Sequence, residues 1–157
     1  MTSKLAEIVA FCAFVVWFVL FGQGCDWRTN PTPGTFQVSS AFTDQQLDDM
    51  RAAAAELCEA SNGTACADLT RMGTDNQIVF MPLMPRARGN THYEQASDTI
   101  AIQIDSGERN IPLVFRHELG HAMGCRRELP PGNIMSPDET TSGAHWTQAD
   151  LDCIAGR

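Results

Sequence analysis

His117 and His121 stand four residues apart, with Glu118 beside the first, inside an apolar run that reads as a helix. No other feature constrains this chain as much. On a helix, residues i and i+4 project from one face about one turn apart, so the two imidazoles reach a common point. Two neutral ring nitrogens at one point suit a divalent cation, above all zinc. Glu118 lies beside that face, where its carboxylate can accept a proton from water. The fold must therefore present this helix face intact.

H-E-x-x-H on a helix points to metal-assisted peptide hydrolysis. The expected cofactor is Zn²⁺, which lowers the pKa of water and polarises the scissile carbonyl. Glu118 is then the general base that carries the proton to the leaving amine. Composition removes competing classes. With 11 Lys plus Arg against 19 Asp plus Glu and a net charge of -8, a nucleic-acid or anionic-membrane surface is not expected as partner. Lys4 is the only lysine, which argues against Schiff-base chemistry.

Lys4 precedes an apolar run over residues 8–21, followed by Gly22-Gln23-Gly24-Cys25. This reads as an export signal or an N-terminal membrane anchor, residues 1–24. The run is short beside the roughly 20 apolar residues of a membrane span, although Leu5 and Ala6 extend it if Glu7 is tolerated near the end. Cys25 after Gly24 resembles the acylated cysteine of bacterial lipoproteins, so a membrane tether, an uncleaved anchor and plain secretion stay open. In each case the domain is expected outside the cytoplasm. Residues 25–34 are a polar, Pro-rich spacer, and residues 35–157 suit one modest domain.

Along that domain, residues 35–39 (TFQVS) read as a first strand. Thr43 caps a helix whose Leu47, Met50, Ala54 and Leu57 share one face to about Ala60, where Asn62-Gly63 ends it. Residues 77–83 (QIVFMPL) form a strand. Thr91, His92, Tyr93 and Glu94 form a short polar strand of the kind found at a sheet edge, and residues 99–105 (TIAIQID) form a half-buried one. A second helix starts near Pro112 and runs to Gly124, and Thr147 with Asp150 opens a third. This order predicts a mixed α/β (α+β) domain: a small twisted sheet with an edge strand, a backing helix, the helix carrying His117, and a C-terminal helix.

Cys58, Cys66, Cys125 and Cys153 allow three disulfide connectivities in an oxidising compartment. Pairing Cys58 with Cys66 closes a short loop, and pairing Cys125 with Cys153 pins the C-terminal segment to the chemistry. That is the expected arrangement. A Cys₄ zinc site lacks any CxxC spacing.

The stretch His117 to Pro137, HELGHAMGCRRELPPGNIMSP, resembles the metzincin metalloproteases, and within them the matrixins. The resemblance rests on H-E-x-x-H-x-x-G with Gly124 at the glycine where the chain leaves the helix, and on Met135 at the matrixin spacing for the Met-turn beneath the metal. Pro137, where astacins have a tyrosine, favours matrixins. The similarity extends over the element order of the domain and is specific only over residues 117–137. It implies a peptide substrate lying antiparallel to the edge strand Thr91–Glu94, with a pocket wall between Met135 and about His145.

One position departs from the family. Its third zinc ligand, ten residues after the first histidine, is Arg127 here, and a guanidinium has no lone pair to offer. Glu128 is the expected substitute if the loop shifts by one residue. His145 could fold back instead, and Asp138 or Glu139 could supply a carboxylate after the Met-turn. Asp105, Asp138 and Glu139 are also the acidic loop residues that a structural Ca²⁺ would use, without recognisable ligand spacing. In an under-ligated site Arg127→His should raise zinc affinity.

The reading is thus a monomeric, exported zinc endopeptidase acting on polypeptides through His117, His121, Glu128 and Glu118. Its rival is a catalytically degenerate peptide-binding module of the same fold that has lost stoichiometric zinc.

Overall fold

The structure is a computed structural model, and it describes residues 34–84, 87–94, 96–137 and 145–157. The targeting segment, Cys25, the spacer up to residue 33, Asp138 and Glu139 lie outside these residues. Gly34, which the sequence placed at the end of the spacer, opens the first strand. Among the described residues five strands and three helices follow one another: β1 Gly34–Val38, α1 Asp44–Ala60, β2 Ala67–Thr70, β3 Asn76–Met81, β4 Gly89–Glu94, β5 Thr99–Asp105, α2 Ile111–Ala122 and α3 Gln148–Ile154. No helix among the described residues is long and apolar enough to cross a membrane.

α1 begins where a capping box closes. Thr43 Oγ1 accepts from Gln46 N at 3.2 Å, and Gln46 Oε1 accepts from Thr43 N at 2.8 Å, which satisfies two otherwise orphaned amides. Leu47, Met50, Ala53, Ala54 and Leu57 are buried, one stripe at helical spacing. Asn62 and Gly63 both take positive φ (52° and 80°) and turn the chain out of the helix. Cys58 is disulfide-bonded to Cys66 across that turn.

The sheet has the order β2-β1-β3-β5-β4. β1 is parallel to β2 and β3, β3 is parallel to β5, and only β4 runs antiparallel, on β5. β2 was not expected. Its four residues ADLT bury only Leu69, so they carry no readable alternation and become a strand by pairing with β1. β4 starts at Gly89, two residues before the expected Thr91, and forms the edge. Phe36, Val38, Ile78, Ile102 and Ile104, each at most 1% exposed, meet Leu47, Met50 and Leu57 of α1 and Val114, Phe115 and Leu119 of α2 in one core. The Arg116–Glu56 ion pair (2.8 Å) joins the two helices.

The turn between β5 and α2 is held by Glu108, whose side chain is only 4% exposed. Its Oε1 accepts from Arg88 Nη2 at 2.6 Å and from the Asn110 amide. The Arg88 guanidinium, outweighing the opposing effect of burial and aided by the Asn110 amide, holds the Glu108 carboxyl below its ordinary value of 4.5. A depressed folded-state pKa adds stability that is present above the unfolded value and lost as pH falls through the folded one. Thermal melts from pH 7 downward should therefore show Tm falling below about pH 4.5. In Glu108→Gln that acid limb should flatten, from a lower Tm at neutral pH.

Candidate metal centre

α2 carries the site. Pro112 sits in its first turn, and its apolar side, Ile111, Val114, Phe115, Leu119 and Ala122, faces the core. That leaves His117 and His121 half-buried on the other side of the helix. At its end Gly124 adopts φ 112°, a conformation costly for any other residue, and the chain doubles back so that Cys125 N bonds Gly120 O at 3.0 Å. The turn brings residues 125–128 over the histidine face.

Each imidazole is anchored through Nδ1. His117 Nδ1 lies 3.0 Å from Ile134 O, and His121 Nδ1 lies 2.6 Å from Cys125 O. A carbonyl oxygen only accepts, so each Nδ1 carries a hydrogen, and in the neutral ring Nε2 is then left with a lone pair for a metal. The two Nε2 atoms are 3.2 Å apart. Glu128 closes the group, with Oε2 at 3.5 Å from His117 Nε2 and Oε1 at 3.6 Å from His121 Nε2. Two facing lone pairs and a carboxylate repel one another unless a positive charge lies between them. Tetrahedral ligands at about 2.0–2.1 Å from zinc stand roughly 3.3–3.4 Å apart, close to the separations seen here. His117, His121 and Glu128 can therefore hold one metal ion.

The loop after α2 forms the floor. Met135 is fully buried, and a Cβ added at Gly120 would lie 2.2 Å from its Sδ, so the glycine between the two histidines makes room for this methionine. Met135 O accepts from Leu129 N at 2.7 Å, which fixes the backbone beside Glu128. Asp150 braces the same loop from α3. Completely buried, it accepts from Ile134 N (3.2 Å), Met135 N (3.1 Å) and Thr147 N (2.9 Å). Cys153, one turn further along α3, is disulfide-bonded to Cys125, whose carbonyl holds His121.

A cleft of about 600 Å³ opens above the donors, bounded by Gly89 and Thr91 of β4, by α2 and by Ser136–Pro137. Glu118 lines it while only 6% exposed. Its Oε2 accepts from Thr91 Oγ1 at 2.7 Å. Along β4, Asn90, His92 and Glu94 are exposed and Thr91 and Tyr93 half-buried.

The other candidates lie elsewhere. Arg127 is exposed and turns away, donating from Nη2 to Arg157 O at 3.2 Å. The donor group is completed by Glu128 instead, one residue further on, as a shift of the loop by one residue would require. His145 does not fold back onto the metal donors; its Nδ1 meets Glu56 Oε1 at 3.0 Å. His92 is near Glu94 (3.9 Å) and outside the donor group. Asp105 accepts from the amides of Leu83 and Gly107, both at 2.9 Å, and so ties together the chain ends that flank β5 and β3. Sequence reasoning read Asp150 only as the partner in a capping box and missed its hold on the Met135 loop. Gly89 and Gly120 carried no signal at all, because a missing side chain acquires meaning only from what packs against it. Neither known protein-family models nor curated proteins match this sequence.

Two substitutions test the floor. Alanine gains about 1 kcal/mol over glycine in a helix, yet overpacking costs about 1–3 kcal/mol, so Gly120→Ala should lower Tm and weaken metal binding. Asp150→Ala leaves buried amides unpaired and should cost about 2–4 kcal/mol in chemical denaturation, with metal affinity falling alongside.

Proposed function

We propose that this chain is an exported zinc-dependent endopeptidase of the matrixin-like metzincin type, with Glu128 as third ligand in place of the family's residue at position 127. The observation that carries this reading is the convergence of His117 Nε2, His121 Nε2 and Glu128 at 3.2–3.6 Å, one residue from a buried carboxylate in an open cleft. Two imidazoles and one carboxylate are a donor set of catalytic zinc, which leaves a position for water or substrate. When bound, zinc supplies Lewis-acid polarisation of the scissile carbonyl and makes water acidic enough to ionise near neutral pH.

The chain's own groups do the rest. Glu118 takes a proton from the attacking water and returns it to the amine as the peptide bond breaks. The exposed edge of β4 offers main-chain donors and acceptors to an extended peptide lying antiparallel to it. Ser136 and Pro137 wall the cleft on the far side, where a substrate side chain would enter. Two disulfides and the apolar N-terminal run support a location outside the cytoplasm, with a tether through that run or an acylated Cys25.

The purified chain should carry about one zinc and cleave casein, with both lost to a chelator. Glu118→Gln should keep the zinc and lower kcat by about 10²–10⁴-fold. Glu128→Ala should lose zinc, whereas Arg127→His should alter neither zinc content nor rate. Substoichiometric zinc without cleavage would instead identify a peptide-binding module.

A further inference from the structure

We infer that Thr91 is a positioning residue for Glu118: its hydroxyl holds the general base against β4 and sets where the carboxylate stands relative to substrate. This rests on the proposed endopeptidase reading and assigns Thr91 a role apart from main-chain pairing. On a helix Glu118 is turned about 100° from His117, so its side chain leaves the ligand face on the side of the β4 edge. It lies against the inner surface of that strand. A Cβ at Gly89 would stand 2.5 Å from Glu118 Oε1, 2.6 Å from its Cγ and 2.7 Å from Val114 Cγ1, so only glycine leaves the carboxylate room there. Two residues on, and on the same face, Thr91 Oγ1 lies 2.7 Å from Glu118 Oε2 and 2.9 Å from Glu118 O.

One hydroxyl hydrogen meets two acceptors, and the charged carboxylate is the stronger and the nearer. Threonine suits the task because its branched Cβ restricts χ1 and so fixes where Oγ1 stands, while the hydroxyl hydrogen turns toward the carboxylate. A glutamate has three rotatable side-chain bonds, and this contact restrains its far end. The strand proposed to bind the peptide main chain therefore also holds the base that acts on that peptide, which keeps the two in register.

In the full chain loaded with zinc, Thr91→Val removes the hydroxyl at nearly constant shape. Hydrolysis of a quenched fluorogenic peptide of casein sequence is the readout, beside zinc content and Tm. The valine variant should retain one zinc and a KM within about twofold, with Tm lowered by the donor lost from the buried carboxylate, while kcat falls about 10- to 100-fold, the scale expected for a displaced catalytic group. Thr91→Ser should return most of that kcat. Gly89→Ala, which crowds the same carboxylate at its other oxygen, should lower kcat in the same way. If the valine chain fails to fold, Thr91→Ala, which adds no bulk, is read by the same criteria. A wild-type kcat without the hydroxyl, or a loss that Thr91→Ser does not recover, overturns the positioning role while Glu118→Gln still marks an active protease. A wild-type chain that hydrolyses nothing, with Glu118→Gln no different, overturns the protease reading and this role together.

Discussion

The site depends on two hydrogen bonds from imidazole to backbone. His117 Nδ1 on Ile134 O and His121 Nδ1 on Cys125 O fix both rings, so that in their neutral form two Nε2 lone pairs face each other at 3.2 Å. Such an arrangement is unfavourable by itself and becomes favourable around a cation, especially with the Glu128 carboxylate on the open side. Carbonyls that orient ligating histidines belong to the metal site as much as the ligands do.

Those carbonyls are held from outside the helix that carries the histidines. α3 has only seven residues, yet Asp150 grips the amides of Ile134 and Met135, and Cys153 is bonded to Cys125. The loop that supplies Ile134 O also supplies Met135 O, which bonds the Leu129 amide next to Glu128. Three donor groups are thereby fixed through one braced loop and one disulfide, and the sheet edge fixes Glu118 independently through Gly89 and Thr91. Separating the two supports means that the geometry of the donor group and that of the Glu118 carboxylate can vary apart.

Much of the fold was legible because it is written in local chemistry. The Thr43–Gln46 capping box, the Leu47/Met50/Ala54/Leu57 stripe and the alternation in residues 99–105 each specify an element without outside help. β2 was not legible, since four residues with one buried side chain form a strand only when β1 lies beside them. Within the site, the helical spacing of His117 and His121 placed both on one face, and Glu128 was one of several acidic or histidine candidates. Arg127 drew attention because it occupied the expected position, although its side chain points to the backbone of Arg157 instead.

By itself, then, the sequence determined which helix face gathers the histidines, where the helices start and which residues form the core, because periodicity and capping act over a turn or two of chain. Tertiary structure alone decided which acidic residue completes the donor group, what Asp150 holds, and what a side chain at positions 89 and 120 would crowd. Those are contacts between segments distant in sequence, and nothing in the local pattern of either partner encodes a distance to the other.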